Sequence, residues 1–299
     1  MGSSSGGERV SVAGRELRLT NLDKELYPGV SKAEVIQHYV RVAPVLLPHL
    51  AGRPVTLRRW PDGVGSASFV QKHTARDTPG WVRTELVGGR GHTPVRHAVL
   101  EEPAALVWAA NLAALELHVP QWRFDAHGQP QSPDLLVLDL DPGQPADVTD
   151  CARVALRLRE ELSADGLTAY AKTSGGKGLH VLVPVCYPAA GATSAYAKAM
   201  AQRLAADDER VVWQMTRALR PGKVLLDWSQ NNPAKTTVVA YSLRGGDTPT
   251  VSTPVTWDEV AAVERADQLR FSPAEVAARV ARDGDLLAAM DDTAAPLPA

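Results

Sequence analysis

This sequence has only two cysteines, almost no net charge and no long apolar run, and each shortage narrows the class of protein. Cys151 and Cys186 can build neither a disulfide framework nor a multi-cysteine zinc site, which is typical of a reducing compartment and of buried, inert thiols. No apolar stretch approaches the ~18 residues that cross a bilayer. The N-terminus lacks the apolar core of a signal peptide. We therefore expect a cytoplasmic protein with no membrane partner.

The charge balance is close to neutral, and the composition is that of a folded protein. A net charge of −2 over 299 residues gives no global attraction to nucleic acid, although local basic surfaces stay possible. With 44% hydrophobic and 22% charged residues, the chain can bury a substantial core. We expect a flexible segment over residues 1–7, a single domain over residues 8–290 and a disordered tail over residues 291–299.

Two carboxylates close an apolar segment in the middle of the chain. The residues from 135 to 140 are mostly apolar and are followed by Pro142 and Gly143, which predicts a buried strand that ends in a turn. Because side chains alternate along a strand, Asp139 and Asp141 should share one face, roughly 6.5 Å apart. Such a pair suits a hard divalent cation, Mg²⁺ or Mn²⁺. Turn chemistry alone is the alternative, since aspartate is common at turns.

A glycine-rich segment with polar donors follows the next predicted strand. Residues 173–180 contain three glycines, which let a backbone approach a ligand closely, together with Ser174, Lys177 and His180. A triphosphate is the natural ligand of such a loop. The spacing is not that of a Walker A loop and no helix follows, so a P-loop NTPase is disfavoured. A glycine-rich hairpin turn without a ligand is the alternative.

Apolar periodicity predicts a mixed α/β fold in which helices pack on β-sheets. Ser31 and Glu34 form a capping box for a helix that should end near Val42, because Pro44 and Pro48 would break or kink a longer one. A short turn of helix should follow before Gly52. Further helices are predicted within 101–121 through Leu106, Leu115 and Leu117, over Asp147 to Leu162, over Thr193 to Ala206, and after the capping box at Ser272.

Cations interleave with aromatic side chains on two predicted strands. Arg58 precedes Trp60, and Phe69 precedes Lys72. This pattern suits a nucleic-acid surface, because cations neutralise phosphates and aromatic rings stack on bases. Trp60 is better explained as a core residue. His118, taken alone, is most often a structural histidine.

Three segments together resemble the motifs of the archaeo-eukaryotic primase superfamily: 138–143, 173–180 and 224–231. More closely, the chain resembles the polymerase domain of bacterial ligase D over about residues 19–287, with further matches at 21–28, 114–122, 235–237 and 241–245. The resemblance implies an α+β primase-like fold with mixed sheets flanked by helices. It also implies template-dependent nucleotidyl transfer to primer 3′ ends in DNA break or gap repair, with ribonucleotides preferred.

The resemblance assigns roles to single residues around the catalytic centre. It implies that two divalent ions, typically Mn²⁺ rather than Mg²⁺, are bound by Asp139, Asp141 and Asp227. The triphosphate of the incoming NTP or dNTP would be held by Ser174, Lys177, His180, Arg220 and Arg244. His118 matches a position that contacts the nucleotide, which favours a contact to the sugar.

The resemblance also implies contacts with DNA ends or a gapped duplex. Lys24 and Lys32 match lysines that bind the 5′-phosphate across a gap. Without the resemblance, two lysines near the start of a helix would be interpreted as solvated surface charges. Where the family carries two adjacent aromatic residues that stack on the template, this chain has Phe69 and Val70, and the turn between the lysines is shorter. Template stacking and 5′-phosphate recognition are therefore less firmly implied than catalysis. The partners implied are a Ku-like protein and a DNA ligase.

Two other classes of function remain open from the sequence. A metal-dependent nuclease would also cluster carboxylates at strand ends, but it would not need the glycine-rich loop. A non-catalytic module that bridges DNA ends would not need all three aspartates.

Overall fold

The computed structural model describes residues 7–88 and 93–298. Its helices are α1 Lys32–Leu50, α2 Pro103–Asn111, α3 Val148–Ala164, α4 Ala192–Asp207, α5 Trp257–Ala261 and α6 Pro273–Asp283. Its strands are β1 Glu8–Val12, β2 Arg15–Leu19, β3 Glu25–Tyr27, β4 Val30–Ser31, β5 Thr56–Arg59, β6 Phe69–Gln71, β7 Thr84–Val87, β8 Val95–Ala98, β9 Ala114–Val119, β10 Leu135–Pro142, β11 Tyr170–Thr173, β12 Leu179–Pro184, β13 Val211–Val212, β14 Val224–Asp227, β15 Thr237–Val238, β16 Leu243–Arg244, β17 Thr250–Val251 and β18 Pro254–Val255.

Two sheets form the framework. The larger has the strand order β13-β14-β10-β12-β11-β18, in which β13 and β14 are parallel and the other neighbours are antiparallel. The smaller has the order β15-β9-β5-β6 and is antiparallel throughout. The pairs β1–β2, β3–β4, β7–β8 and β16–β17 are two-stranded ribbons. This arrangement confirms the predicted mixed α/β fold.

The central strand β10 is apolar on both faces because both faces are covered. Leu136, Leu138 and Leu140 pack into a core cluster with residues of α3 and α4. Val137, on the opposite face, packs into a second cluster built from α1, α2 and the smaller sheet. Burial on both sides explains the continuous apolar run in the sequence. Asp139 follows Val137 by two residues and therefore projects toward the smaller sheet.

Local capping signals begin three of the helices where the sequence predicts. The Oγ of Ser31 accepts a hydrogen bond from the Glu34 backbone N–H, and the Glu34 carboxylate accepts one from the Ser31 backbone. Ser272 and Glu275 form the same reciprocal pair at α6, and Asp147 caps α3. These caps satisfy N–H groups that have no partner within the helix.

The first helix does not end near Val42, as the two prolines predict. Helix α1 continues through Pro44 and Pro48 to Leu50. Each proline removes one backbone donor, at a cost of roughly 3 kcal/mol or more in a helix interior. The buried face of α1, which includes Leu46, packs against α2 and the core, and this packing outweighs that cost.

The predicted apolar helix that included Leu115 and Leu117 is also wrong in its second half. Helix α2 ends at Asn111, and Ala113 adopts a positive φ of 58° that turns the chain. Leu115 and Leu117 then lie on β9, where they point into the core. Periodicity misassigned them because a short apolar run is compatible with either element.

The C-terminal residues up to 298 pack on the fold instead of forming a disordered tail. Ala295 forms a bridge with Val185 at the end of β12, and Thr293 Oγ1 lies 2.9 Å from the Tyr170 hydroxyl. Of the two cysteines, Cys151 is buried as expected, whereas Cys186 is exposed. Among the residues that the structure describes, none of the helices is long and apolar enough to cross a membrane.

Candidate active site

Four polar side chains form a row across the larger sheet. In the strand register, Asp227 of β14 lies opposite Asp139 of β10, Asp139 lies opposite His180 of β12, and His180 lies opposite Lys172 of β11. Cross-strand partners project from the same face, so the four side chains line one surface of the sheet. Asp141 extends the row along β10 toward the solvent.

The three aspartates form a compact carboxylate cluster. One ligand oxygen from each of Asp139, Asp141 and Asp227 lies within 4.8 Å of the other two. Desolvation and the negative charges of Asp139 and Asp227 raise the pKa of Asp141 to about 7. Carboxylate oxygens are the donors that hard divalent cations prefer, and a bound cation would remove this repulsion. The donor set therefore fits a divalent metal.

The carboxylates of Asp139 and Asp227 are oriented by neighbours. Burial alone would raise the pKa of Asp139, but the charge and hydrogen bond of His180, whose Nε2 is 3.2 Å from Asp139 Oδ1, outweigh it and lower the pKa. Asp227 accepts hydrogen bonds from the Ser229 backbone N–H at 3.0 Å and from Gln230 Nε2 at 2.9 Å. Both carboxylates are therefore held in fixed directions.

The glycine-rich loop joins β11 to β12 beside this cluster. Ser174 Oγ accepts hydrogen bonds from the backbone N–H groups of Gly176 and Gly178, each at 3.1 Å. A Cβ at Gly178 would lie only 2.0 Å from the Leu140 carbonyl oxygen, so only glycine allows this approach to β10. Lys177 is exposed at the tip of the loop. Ser174 shapes the loop, while Lys177 presents its charge to the surroundings.

Two arginines lie on the other sides of the cluster. Arg220 donates to the Met215 carbonyl at 3.0 Å, and its Nε is buried without a hydrogen-bond partner among the described residues. The charges of Arg220 and Arg244 oppose the rise in the pKa of Asp141. Arg244 also lies near the smaller sheet, with its Nε 3.6 Å from an oxygen of Glu116. The arginines thus contribute positive charge at the mouth of the site.

His118 lies on the smaller sheet and is partly buried. Its Nε2 is 2.7 Å from Glu116 Oε2, and both side chains project from the same face of β9. The guanidinium of Arg58 lies 3.8 Å from the same carboxylate and 4.9 Å from the centre of the Trp60 ring. Trp60 is buried, as its interpretation as a core residue predicts.

Two buried residues of the site escape the sequence interpretation. Lys172 is 2% exposed, and its Nζ donates to Ser252 Oγ at 2.7 Å. Burial and the charge of Arg244 lower its pKa to about 7. Glu116 is 1% exposed. Strand alternation could have indicated Glu116 as a site residue, because it precedes His118 by two residues and so projects from the same face. No local sequence feature distinguishes Lys172.

The two N-terminal lysines differ in their surroundings. Lys24 is partly exposed and pairs with Asp62, with Nζ 2.7 Å from Oδ1. Lys32 is buried and donates to the Thr20 carbonyl at 2.6 Å. Burial and the charge of Lys24 lower the pKa of Lys32 to about 8. The backbone N–H of Lys32 also donates to the Lys24 carbonyl, so the two residues are adjacent in space.

The remaining predicted contacts lie on and beside β6. Phe69 is 44% exposed and Val70 is 59% exposed, so the pair presents an open apolar surface with one ring. The guanidinium of Arg59 lies 5.0 Å from the centre of the Phe69 ring. Lys72, after the end of β6, is exposed. The structure thus leaves both Phe69 and Lys72 accessible.

A carboxylate triad on adjacent strands, beside a glycine loop and several cations, defines a class of metal-dependent nucleotidyltransferases. Comparison with known proteins agrees. Residues 31–287 match the family model of the LigD primase-polymerase domain, and the chain belongs to that family, whose members are nucleotidyltransferases.

The similarity extends to sequences and to a solved structure. The multifunctional non-homologous end joining protein LigD of Mycolicibacterium smegmatis is 44% identical over 279 residues, which are 92% of this chain and 36% of that protein. The LigD protein of Pseudomonas aeruginosa is 35% identical over 89% of this chain and 31% of its own length. The chain thus spans about a third of the length of these relatives.

The polymerase domain of Mycobacterium tuberculosis ligase D, solved in complex with DNA, superposes with a TM-score of 0.87 at 42% identity. The match covers 93% of this chain and 99% of that domain. It confirms the primase-like fold that the sequence motifs imply.

Proposed function

We propose that this protein adds nucleotides to primer 3′ ends at DNA breaks or gaps, directed by a template, with two divalent ions held by Asp139, Asp141 and Asp227. The observation that carries the proposal is the convergence of three carboxylates within 4.8 Å beside the glycine-rich loop. In this reaction the primer 3′-hydroxyl attacks the α-phosphate of the incoming nucleotide, and pyrophosphate leaves. Bound divalent ions would activate the hydroxyl and neutralise charge on the leaving pyrophosphate.

The protein residues around the triad would bind and orient the triphosphate. Lys177 and the two arginines, Arg220 and Arg244, supply positive charge around the mouth of the site. Ser174 holds the loop in shape through its two backbone hydrogen bonds. His180 Nε2 lies 3.2 Å from Asp139 Oδ1 and would orient that carboxylate, while its Nδ1 has no hydrogen-bond partner among the described residues and would bind the triphosphate.

The smaller sheet would face the sugar and the DNA. In this proposal His118, on β9, contacts the sugar of the incoming nucleotide, and ribonucleotides are preferred. Phe69 offers one exposed ring for stacking on the template. Arg58 lies on β5, and Lys72 follows the end of β6. Both cations would bind template phosphates. Sequence selectivity is not expected, because base pairing with the template supplies it.

The N-terminal lysines would bind the 5′-phosphate beyond a gap. Lys24 and Lys32 are adjacent, and the pKa of Lys32 is lowered mainly by burial of its ammonium group and further by the charge of Lys24. A phosphate dianion would oppose both effects. The relatives are named for non-homologous end joining, which supports a role in DNA end repair together with a Ku-like protein and a DNA ligase.

Primer extension on a gapped duplex tests the proposal. The wild type should extend a primer with Mn²⁺ or Mg²⁺, and Asp139→Ala and Asp141→Ala should abolish extension. Asp267→Ala, which changes an exposed aspartate in a short helical turn, is the matched control and should keep wild-type activity.

Each other outcome identifies an alternative. Shortened primers would indicate a metal-dependent nuclease. Binding of DNA ends without any extension by the wild type would indicate a non-catalytic bridging module. Extension that persists in both aspartate variants would refute the assignment of the triad.

A further inference from the structure

A buried carboxylate that the proposed reaction does not use lies next to His118. Glu116 precedes His118 by two residues on β9, so both side chains project from the same face of the smaller sheet. The Glu116 side chain is 1% exposed, and its Oε2 lies 2.7 Å from His118 Nε2. A carboxylate removed from water in this way is stable only when it is paired and hydrogen-bonded.

Three further groups complete the surroundings of Glu116. The Gly245 backbone N–H donates to Oε1 at 2.9 Å, Arg244 Nε lies 3.6 Å from the same oxygen, and Arg58 lies 3.8 Å from Oε2. Burial alone would raise the pKa of Glu116, but the hydrogen bond of His118 and the charge of Arg244 outweigh it and lower the pKa. Glu116 is therefore ionised at neutral pH.

This pairing fixes the position of the hydrogen on the His118 ring. An ionised carboxylate accepts hydrogen bonds and donates none, so His118 Nε2 must carry the hydrogen in the 2.7 Å contact. Burial lowers the pKa of His118, with help from the charges of Arg244 and Arg58 and against the opposing effect of Glu116. The ring is therefore neutral, and a neutral imidazole has a lone pair on its second nitrogen, Nδ1. No described residue makes a hydrogen bond to Nδ1.

We propose that Glu116 is a positioning residue that determines sugar specificity: by keeping the hydrogen of His118 on Nε2, it makes Nδ1 an acceptor for a hydroxyl of the nucleotide sugar. The 2′-hydroxyl of a ribonucleotide can donate to this acceptor. A deoxyribonucleotide lacks that donor and leaves Nδ1 unpaired, which penalises its binding. The inference rests on the sugar contact proposed for His118, and adds the residue that gives this contact its direction.

Nucleotide binding without DNA tests the inference separately from catalysis. Calorimetry with Mn²⁺ would compare ATP with 2′-deoxy-ATP for the wild type and for Glu116→Gln. Glutamine keeps the shape of the side chain but can offer its own N–H to His118, so the ring hydrogen is no longer confined to Nε2. We expect the wild type to favour ATP, and Glu116→Gln to reduce that preference about tenfold, mainly through weaker ATP binding.

A matched control and a double variant separate positioning from a structural effect. Glu259→Gln makes the same change in another carboxylate that is paired with an arginine, Arg279. Glu259 lies on α5, which packs against α3 on the far face of the larger sheet. This variant should keep the wild-type preference. In a His118→Ala background, Glu116→Gln should have no further effect on the ratio of affinities, because Glu116 acts through His118.

Nitrogen-15 spectra of the His118 ring provide a readout independent of affinity, and should show Nδ1 unprotonated in the wild type. Four results would overturn the inference: equal affinities in the wild type, an unchanged preference in Glu116→Gln, equal weakening for both nucleotides, or a protonated Nδ1. A lack of primer extension by a wild type that still prefers ATP would instead refute the proposed function and leave this inference standing.

Discussion

Asp139 and Asp227 lie directly opposite each other on the antiparallel strands β10 and β14, and Asp141 projects beside them. Three carboxylates in one place repel each other, and the repulsion appears in the raised pKa of Asp141. The fold therefore maintains an arrangement that is unfavourable without a cation. This repulsion should make both the stability of the protein and its affinity for a divalent metal depend on pH, even before any nucleotide is added.

Removing one of these charges should stabilise the metal-free protein while it abolishes activity. The folded pKa of Asp141, about 7, lies above the ordinary value of 3.8, so its contribution to stability is lost as the pH rises through 7. With EDTA at pH 8, the free energy of unfolding of Asp141→Asn should exceed that of the wild type by about 1 kcal/mol, because solvent screens much of the repulsion at this partly exposed carboxylate. The difference should vanish near pH 4. Urea unfolding at both pH values measures it, and a less stable variant at pH 8 would contradict the expected repulsion.

Binding of a divalent metal should strengthen as the pH rises toward 8. A proton on Asp141 competes with the cation, and below its pKa of about 7 each unit of pH should weaken Mn²⁺ binding by up to about tenfold. Titration of the protein with Mn²⁺ at pH 6, 7 and 8, followed by electron paramagnetic resonance, gives the affinities. In Asp141→Asn the dependence over this range should be much smaller. An affinity that is constant from pH 6 to 8 would argue against Asp141 as a ligand.

Lys172 should make the stability of the protein depend on pH in the alkaline range. Its folded pKa, about 7, is below the ordinary 10.5, so the unfolded chain binds more protons between these values and the stability contributed by this group rises with pH. Lys172→Met should therefore be more stable than wild type by about 2 kcal/mol at pH 7. That advantage should shrink toward pH 10. Chemical unfolding at several pH values compares the two proteins, and an advantage that grows with pH would contradict the assigned burial of an ammonium group.

Recognition of a 5′-phosphate should depend on Lys24 and respond to its partner Asp62. Lys24→Gln should reduce the preference for a 5′-phosphorylated downstream strand by about tenfold, the effect of one charge-assisted contact. Asp62→Asn releases Lys24 from its ion pair at 2.7 Å and should raise the preference. Gap filling with phosphorylated and unphosphorylated strands measures both effects.

A control for this experiment is Arg282→Gln, which removes another exposed cation with an acidic partner, Asp283. It should leave the preference unchanged. Equal filling of both gaps by the wild type would show that these lysines do not read a 5′-phosphate.

The features that the sequence predicts well are those set by neighbours in the chain. The capping boxes at Ser31 and Ser272 mark helix starts because the interacting groups are three residues apart. The β10 strand and its turn are predicted by a local apolar run and Pro142. The helix through Pro44 was missed because the packing that maintains it involves α2, which is distant in sequence.

The sequence alone determined the motifs: the paired aspartates on one strand, the glycines of the loop, and the family to which the chain belongs. Only the tertiary structure decided which groups meet. The register that brings Asp227 to Asp139, the buried contact of Glu116 with His118, and the burial of Lys172 behind the site depend on strand pairing and on packing between two sheets. Local sequence carries residue type and alternation, whereas desolvation and charge pairing arise only when distant segments come together.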